Sequence, residues 1–188
     1  MNTEKTNSVH LVLGGARSGK SRLAEQMAKD SAKKVVYIAT ATIYDDEMQQ
    51  RVERHINDRP AHWLTVEEPL RLAKAITDHS DPDICIVVDC LTLWLTNVLM
   101  AETDQENKTD KTDLPVPSLA DYKQQLLTAL ANVIGPVVLV SNEVGQGIVP
   151  LGELSRRFVD EAGWLHQDIA GIAQHVTLVV AGLPMTLK

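Results

Sequence analysis

The sequence predicts an α/β fold in which a mostly parallel β-sheet is flanked by helices within a single domain. Three observations carry that expectation. Five short aliphatic runs recur along the chain: VHLVL at 9–13, VVYIA at 35–39, ICIVV at 84–88, VVLVS at 137–141 and VTLVV at 176–180. They are nearly continuous and β-branched rather than alternating, as strands buried on both faces of a parallel sheet are. Segments with helical spacing lie between them, and strand followed by helix, repeated, implies right-handed crossovers onto one sheet. Finally, 188 residues against a prior of roughly 150 per domain leaves room for one full core, so residues 1–188 are read as one unit.

In chain order, strand 9–13 leads through a glycine-rich turn into a helix at 20–30 bearing Leu23 and Met27. Strand 35–39 precedes a helical pattern at 45–57, with Met48, Val52 and Ile56 on one face, and another at 68–78 with Leu72 and Ile76. Strand 84–88 opens an apolar stretch that reaches 101. Asp89, Thr92, Thr96 and Asn97 interrupt it, which a bilayer core tolerates poorly, so it reads as a buried strand running into a helix. Residues 102–118, ETDQENKTDKTDLPVPS, are polar, carry both charges and close on two prolines. They read as a mobile surface loop, with a functional lid as the alternative. Ser118 is the expected N-cap of a helix at 118–133, and a last helix at 153–174 carries Leu154, Phe158, Leu165, Ile169 and Ile172.

Composition excludes several classes. Lys and Arg number 18 against 25 Asp and Glu, and the net charge of −7 has the wrong sign for gripping a nucleic-acid backbone. Cys85 and Cys90 both lie inside the apolar run ICIVVDCLTLWL, where small buried thiols belong and a disulfide framework does not, so a reducing cytoplasm is expected. The start MNTEKTNSVH does not read as a secretory signal. With aromatics at 4%, the core is aliphatic.

The strongest motif is GGARSGKS: Gly14, Gly15, Ala16, Arg17, Ser18, Gly19, Lys20 and Ser21. It fits G-x-x-x-x-G-K-[ST] and stands between a strand and a helix, the context that a P-loop requires. Its glycines allow backbone N–H groups to converge on a phosphate, Lys20 neutralises β and γ oxygens, and Ser21 offers a hydroxyl to Mg²⁺. The helix N-terminus adds partial positive charge. The fold expected is therefore of the P-loop, RecA-like type.

Asp89 directly follows the run ICIVV, where a carboxylate would hold Mg²⁺ or its waters beside the P-loop; capping the next helix is the competing role. In DDEMQQRVERHINDRPAHW at 45–63, His55 lies about 60° around the helix from Val52, at the edge of the apolar face. Arg51, Arg54 and Arg59 surround it in sequence. A cationic setting keeps an imidazole neutral and able to attack phosphorus, although a packing histidine fits the same spacing. His10, His62, His79, His166 and His175 have no such cluster of arginines around them. Asn142 and Glu143, in SNEVGQGIVP after the fourth run, stand where α/β sheets place ligands, or simply shape a turn. No Cys or His cluster has zinc-ligand spacing, and no G-x-S-x-G elbow occurs.

Together, GGARSGKSRLAE, YIATAT with DDEMQQRVERHINDRPAHW, TVEEP, VVDCLTLWLTN and VSNEVGQGIVP resemble the bifunctional adenosylcobinamide kinase / adenosylcobinamide-phosphate guanylyltransferase family of cobalamin biosynthesis. The likeness runs from about residue 10 to the end, outside the 102–118 segment. It implies phosphorylation of the aminopropanol hydroxyl of adenosylcobinamide by ATP or GTP. Transfer of GMP from GTP onto adenosylcobinamide phosphate, through a guanylylated histidine, would follow. On that resemblance His55 is the histidine, and the nucleotide site takes in residues 14–21, Ala39, Thr40, Ala41, Ile56, Asn57, Asp58, Arg59, Glu67 and Asp89. It also implies a homo-oligomer, a trimer. Two other classes share the P-loop: a simple small-molecule kinase, which has no need of His55, and a RecA-like NTPase module. The chain shows no N-K-x-D base-reading motif.

Overall fold

Along the central strands, successive residues face opposite sides of one sheet, and both sides are covered. The computed structural model describes residues 8–42, 49, 59–107 and 117–188. Among them are seven strands: β1 (Ser8–Gly14), β2 (Lys34–Ala39), β3 (Leu64–Glu67), β4 (Ile84–Asp89), β5 (Pro136–Asn142), β6 (His175–Val180) and β7 (Leu183–Thr186). Five helices accompany them: α1 (Lys20–Asp30), α2 (Leu72–Asp78), α3 (Leu91–Asn107), α4 (Leu119–Asn132) and α5 (Glu153–Ile172). The sheet order is β3-β2-β4-β5-β1-β6-β7, parallel throughout except for the antiparallel pair of β6 and β7.

The two-residue period divides the core in two. Leu11, Val36, Ile38, Ile86, Val88, Val137 and Leu139 face helices α2 to α5, joining Ile76, Trp94, Leu126 and Ile169 in one cluster. Their neighbours Val12, Val35, Tyr37, Cys85, Val87, Val138 and Val140 face the other way, against Ala24 and Ala28 of α1. Continuous aliphatic runs are what such doubly covered strands need. Cys85 and Cys90 are free and buried. No helix among the described residues is long and apolar enough to cross a membrane.

Three expectations need correction. Residues 102–107 belong to α3 rather than to a surface loop. Polar groups there are engaged: Thr103 Oγ1 donates to the Leu99 carbonyl at 2.9 Å, while Glu102 accepts from Leu119 N at 3.2 Å and pairs with Arg157. Residues 108–116 of that expected loop lie outside the described residues. The helix expected at 68–78 begins only at Leu72, because Glu68 Oε1 accepts from Leu70 N and Arg71 N, at 3.1 and 2.8 Å, and turns the chain first. Two strands, β3 and β7, carry no run in the list of five. The expected helix at 45–57 lies, apart from Gln49, outside the described residues. Ser118 caps α4 as expected, in a reciprocal box with Asp121.

Candidate active site

The parallel register brings the carboxyl ends of β1, β2, β4 and β5 to one edge: Gly14 stands beside Asn142, Ala39 beside Asp89 and Asp89 beside Val140. Ligands bind at this edge of open α/β sheets. The loop from Gly14 to α1 fills it. A Cβ on Gly14 would stand 2.7 Å from the Val179 carbonyl oxygen and closer still to Ser18 Oγ, so only glycine passes there. Gly19, the N-cap, has φ 96°, and Ser18 N donates to Gly15 O at 3.2 Å to close the turn.

Behind the loop, Gly182 N donates to Ser18 O at 2.8 Å, so the tight β6–β7 hairpin braces it. Ala181 and Gly182 both have positive φ, the geometry of a two-residue hairpin turn. In front, Gly15, Ala16 and Arg17 are exposed. Helix α1 has no side-chain cap on its first amides, which leaves them free for an anion. Lys20 folds back so that Nζ donates to Gly15 O at 3.0 Å. Burial pulls the Lys20 ammonium below its ordinary pKa, and the charge of Asp89 opposes that shift. Ser18 Oγ is buried with no hydrogen-bond partner among the described residues.

Across the edge, Tyr37 Oη donates to Asp89 Oδ2 at 2.7 Å. Burial, then the Asp89 charge, pushes the phenol far above its usual range, so it remains a donor. The Arg59 guanidinium stacks on the Tyr37 ring at 3.6 Å, and its buried Nε and Nη1 have no hydrogen-bond partner among the described residues. Buried donors of this kind await an acceptor such as phosphate. Thr40 is fully buried. Its Oγ1 donates to Cys90 O at 2.7 Å and accepts from Cys90 N at 2.9 Å, while its carbonyl accepts from Asn97 Nδ2 at 2.8 Å. Thr40 therefore fastens β2 to the start of α3. Ala39 and Ala41 are half-buried beside it, and Glu67 is exposed at the end of β3, paired with Ala39.

The tip of β5 holds a third group. Ser141 Oγ and His166 Nε2 are 2.7 Å apart, and His166 Nδ1 is 3.9 Å from Glu143 Oε2. Burial holds the His166 imidazole below its usual pKa, against the pull of Glu143. Glu143 N donates to Gly14 O at 3.0 Å, and Asn142 Nδ2 donates to Thr92 Oγ1 at 2.9 Å.

Of the expected residues, 14–21, 39–41, Arg59, Glu67 and Asp89 all lie along this edge. His55 with Arg51, Arg54, Ile56, Asn57 and Asp58 lies outside the described residues. Sequence reasoning missed Tyr37, which reads as one more core residue of an apolar strand, and His166, which reads as a packing histidine on a helix. No local signal marks either.

The sequence model of the cobinamide kinase / cobinamide phosphate guanyltransferase family matches residues 10–187. The chain belongs to this family. It is accordingly an enzyme of cobalamin biosynthesis, a cobinamide kinase and cobinamide phosphate guanylyltransferase on a P-loop fold. It is 53% identical over 178 residues to the bifunctional adenosylcobalamin biosynthesis protein CobP of Pseudomonas aeruginosa, covering 95% of this chain and 96% of that one. It is 45% identical to the CobU protein of the same description from Salmonella typhimurium, covering 95% and 98%. Among solved structures, an ATPase of the type III secretion system of pathogenic bacteria matches 96% of this chain with a TM-score of 0.56 at 10% identity. The ATP synthase subunit NeqB of Nanoarcheaum equitans matches 92% with a TM-score of 0.50 at 13% identity. The chain spans 57% and 45% of those two, and the likeness is one of fold.

Proposed function

We propose that both family reactions use the one edge described above, with residues 14–21 holding the nucleotide phosphates and His55 carrying GMP. The observation that bears most on this reading is the pairing of a braced P-loop with Arg59, whose buried Nε and Nη1 lack partners among the described residues. Arg59 follows His55 by four residues. In the kinase step Lys20 and the α1 amides spread the charge of the migrating γ-phosphoryl group of ATP or GTP while the adenosylcobinamide hydroxyl attacks in line. In the guanylyl step a nitrogen of neutral His55 bonds to the α-phosphorus of GTP as the bond to pyrophosphate breaks. An oxygen of adenosylcobinamide phosphate then displaces the imidazole. Arg59 meets the negative charge of the phosphates, with Ala39, Ala41, Ile56, Asn57, Asp58 and Glu67 around the nucleotide.

The donor set suits Mg²⁺. Ser21 and Asp89 supply hard oxygens, and Mg²⁺ binds through one or two protein oxygens with phosphates and water completing its shell. Among the described residues no group of three His, Cys, Asp or Glu forms a self-sufficient metal site. When bound, the ion neutralises phosphate charge; Tyr37 keeps the Asp89 carboxylate oriented for it.

We extend the reading to a cytoplasmic homo-oligomer, a trimer. Ile148 and Leu151 are each 98% exposed, and Leu154, three positions on from Leu151 in sequence, is exposed as well; exposed apolar side chains of this kind suit a partner subunit. The test of the shared-site reading is incubation with α-labelled GTP followed by denaturation. Label retained on the chain supports a guanylylated side chain, and a label-free chain rejects the covalent route.

A further inference from the structure

The phosphoryl-transfer step needs a group to take the proton of the attacking hydroxyl, and such a base must come within about 2.6–3.2 Å of it. Strand β5 lies between β1, which delivers the P-loop, and β4, which delivers Asp89. Its tip thus stands between the two parts that handle phosphate. Glu143 is the carboxylate at that tip, and its backbone is tied to the first P-loop residue through Glu143 N and Gly14 O.

Three other described carboxylates near this edge are placed or engaged differently. Asp89 Oδ2 accepts from Tyr37. Glu68 accepts from the amides ahead of α2 and pairs with Arg71. Glu67 is on β3, with β2, β4 and β5 between it and β1; at about 4.8 Å per strand that is roughly 19 Å away.

We propose that Glu143 is the catalytic base of the kinase step, and that His166 and Ser141 position its carboxylate. This rests on the kinase reaction of the family. One oxygen, Oε1, accepts from Gly145 N at 2.7 Å, which fixes the carboxylate plane. The other, Oε2, lies 3.9 Å from His166 Nδ1, and the side chain is 24% exposed. Ser141 is fully buried and engages His166 Nε2 at 2.7 Å. With the Ser141 hydroxyl donating to Nε2, the ring proton sits on Nδ1, facing Glu143. Burial favours the neutral ring that this arrangement requires.

The step balances. The acceptor's hydroxyl oxygen forms its bond to the γ-phosphorus as the bond from γ-phosphorus to the bridging oxygen breaks, and that electron pair leaves on the nucleoside diphosphate. The hydroxyl proton passes to Glu143 Oε2 and from there to solvent.

Steady-state phosphorylation of adenosylcobinamide by γ-labelled ATP tests this on the full chain. Glu143→Gln keeps Oε1 for Gly145 and removes the base, so kcat should fall about 10²–10⁴-fold while KM for ATP and retention of α-labelled GTP stay near wild type. His166→Ala should lower kcat by about tenfold to a hundredfold, again without raising KM for ATP, as misplacement of a catalytic group does. His166→Gln, which can still donate toward Glu143, should recover part of that loss. A Glu143→Gln protein with wild-type kcat would overturn the assignment alone. Wild-type protein that labels no adenosylcobinamide would overturn the kinase reading and the assignment with it.

Discussion

Tyr37 donates its phenolic proton to Asp89 Oδ2 at 2.7 Å, from β2 to the neighbouring end of β4, and the same ring carries the Arg59 guanidinium on its face. One buried side chain therefore orients the carboxylate beside the P-loop and seats the arginine that follows the His55 segment. Tyr37→Phe keeps the ring and removes the donor. A hydrogen bond to a charged group contributes about 1.5–3 kcal/mol, so kinase turnover should drop at least about tenfold. Arg59-dependent nucleotide binding should persist, as a KM series for ATP and GTP would show.

Asp89→Asn removes charge and retains an oxygen that can accept from Tyr37. Turnover across a Mg²⁺ series should fall much more than stability, with Tm moving by no more than about 4 °C. A large Tm shift with unchanged turnover would return Asp89 to a purely structural role.

Lys20→Ala should lower kinase activity by on the order of 10²–10³-fold and weaken triphosphate binding. Lys20 is the cation that the P-loop turns back over its own backbone. GTP titration by fluorescence or calorimetry checks the binding half. Near-normal affinity and turnover would reduce GGARSGKS to a turn.

His10 and His166 both have pKa values held down, chiefly by burial. The unfolded chain therefore takes up protons first as pH falls, and stability present above the ordinary histidine pKa is lost below it. Tm should decline from about pH 8 to about pH 5.5, and His166→Gln should flatten part of that slope. An unchanged slope in the variant would place the loss elsewhere.

The strands and helices that were legible in the sequence are those whose burial leaves a period. β1, β2, β4, β5 and β6 each show a continuous run because helices cover both faces of the sheet. Edge strands do not: Leu64 and Thr65 of β3 are exposed, as is the whole of β7. Polarity at 102–107 did not signal irregularity: the bond of Glu102 to Leu119 and its pairing with Arg157 carry α3 further than composition implies. At the site, the P-loop could be read because its chemistry is contiguous in sequence. The Ser141–His166 pair joins residues 25 positions apart, and only the packing of α5 against the sheet brings them together.

His55→Ala, assayed with two labels in parallel, separates the two chemistries proposed for the one phosphate edge. With α-labelled GTP, the wild-type chain should retain label through denaturation, in an acid-labile and alkali-stable form as a phosphoramidate is, and the variant should retain none. With γ-labelled ATP, the variant should still phosphorylate adenosylcobinamide at close to the wild-type rate, since that step uses the P-loop and no nitrogen nucleophile. Persistent α-label on the His55→Ala chain, mapped to His62 or any other residue, would show that His55 does not carry GMP.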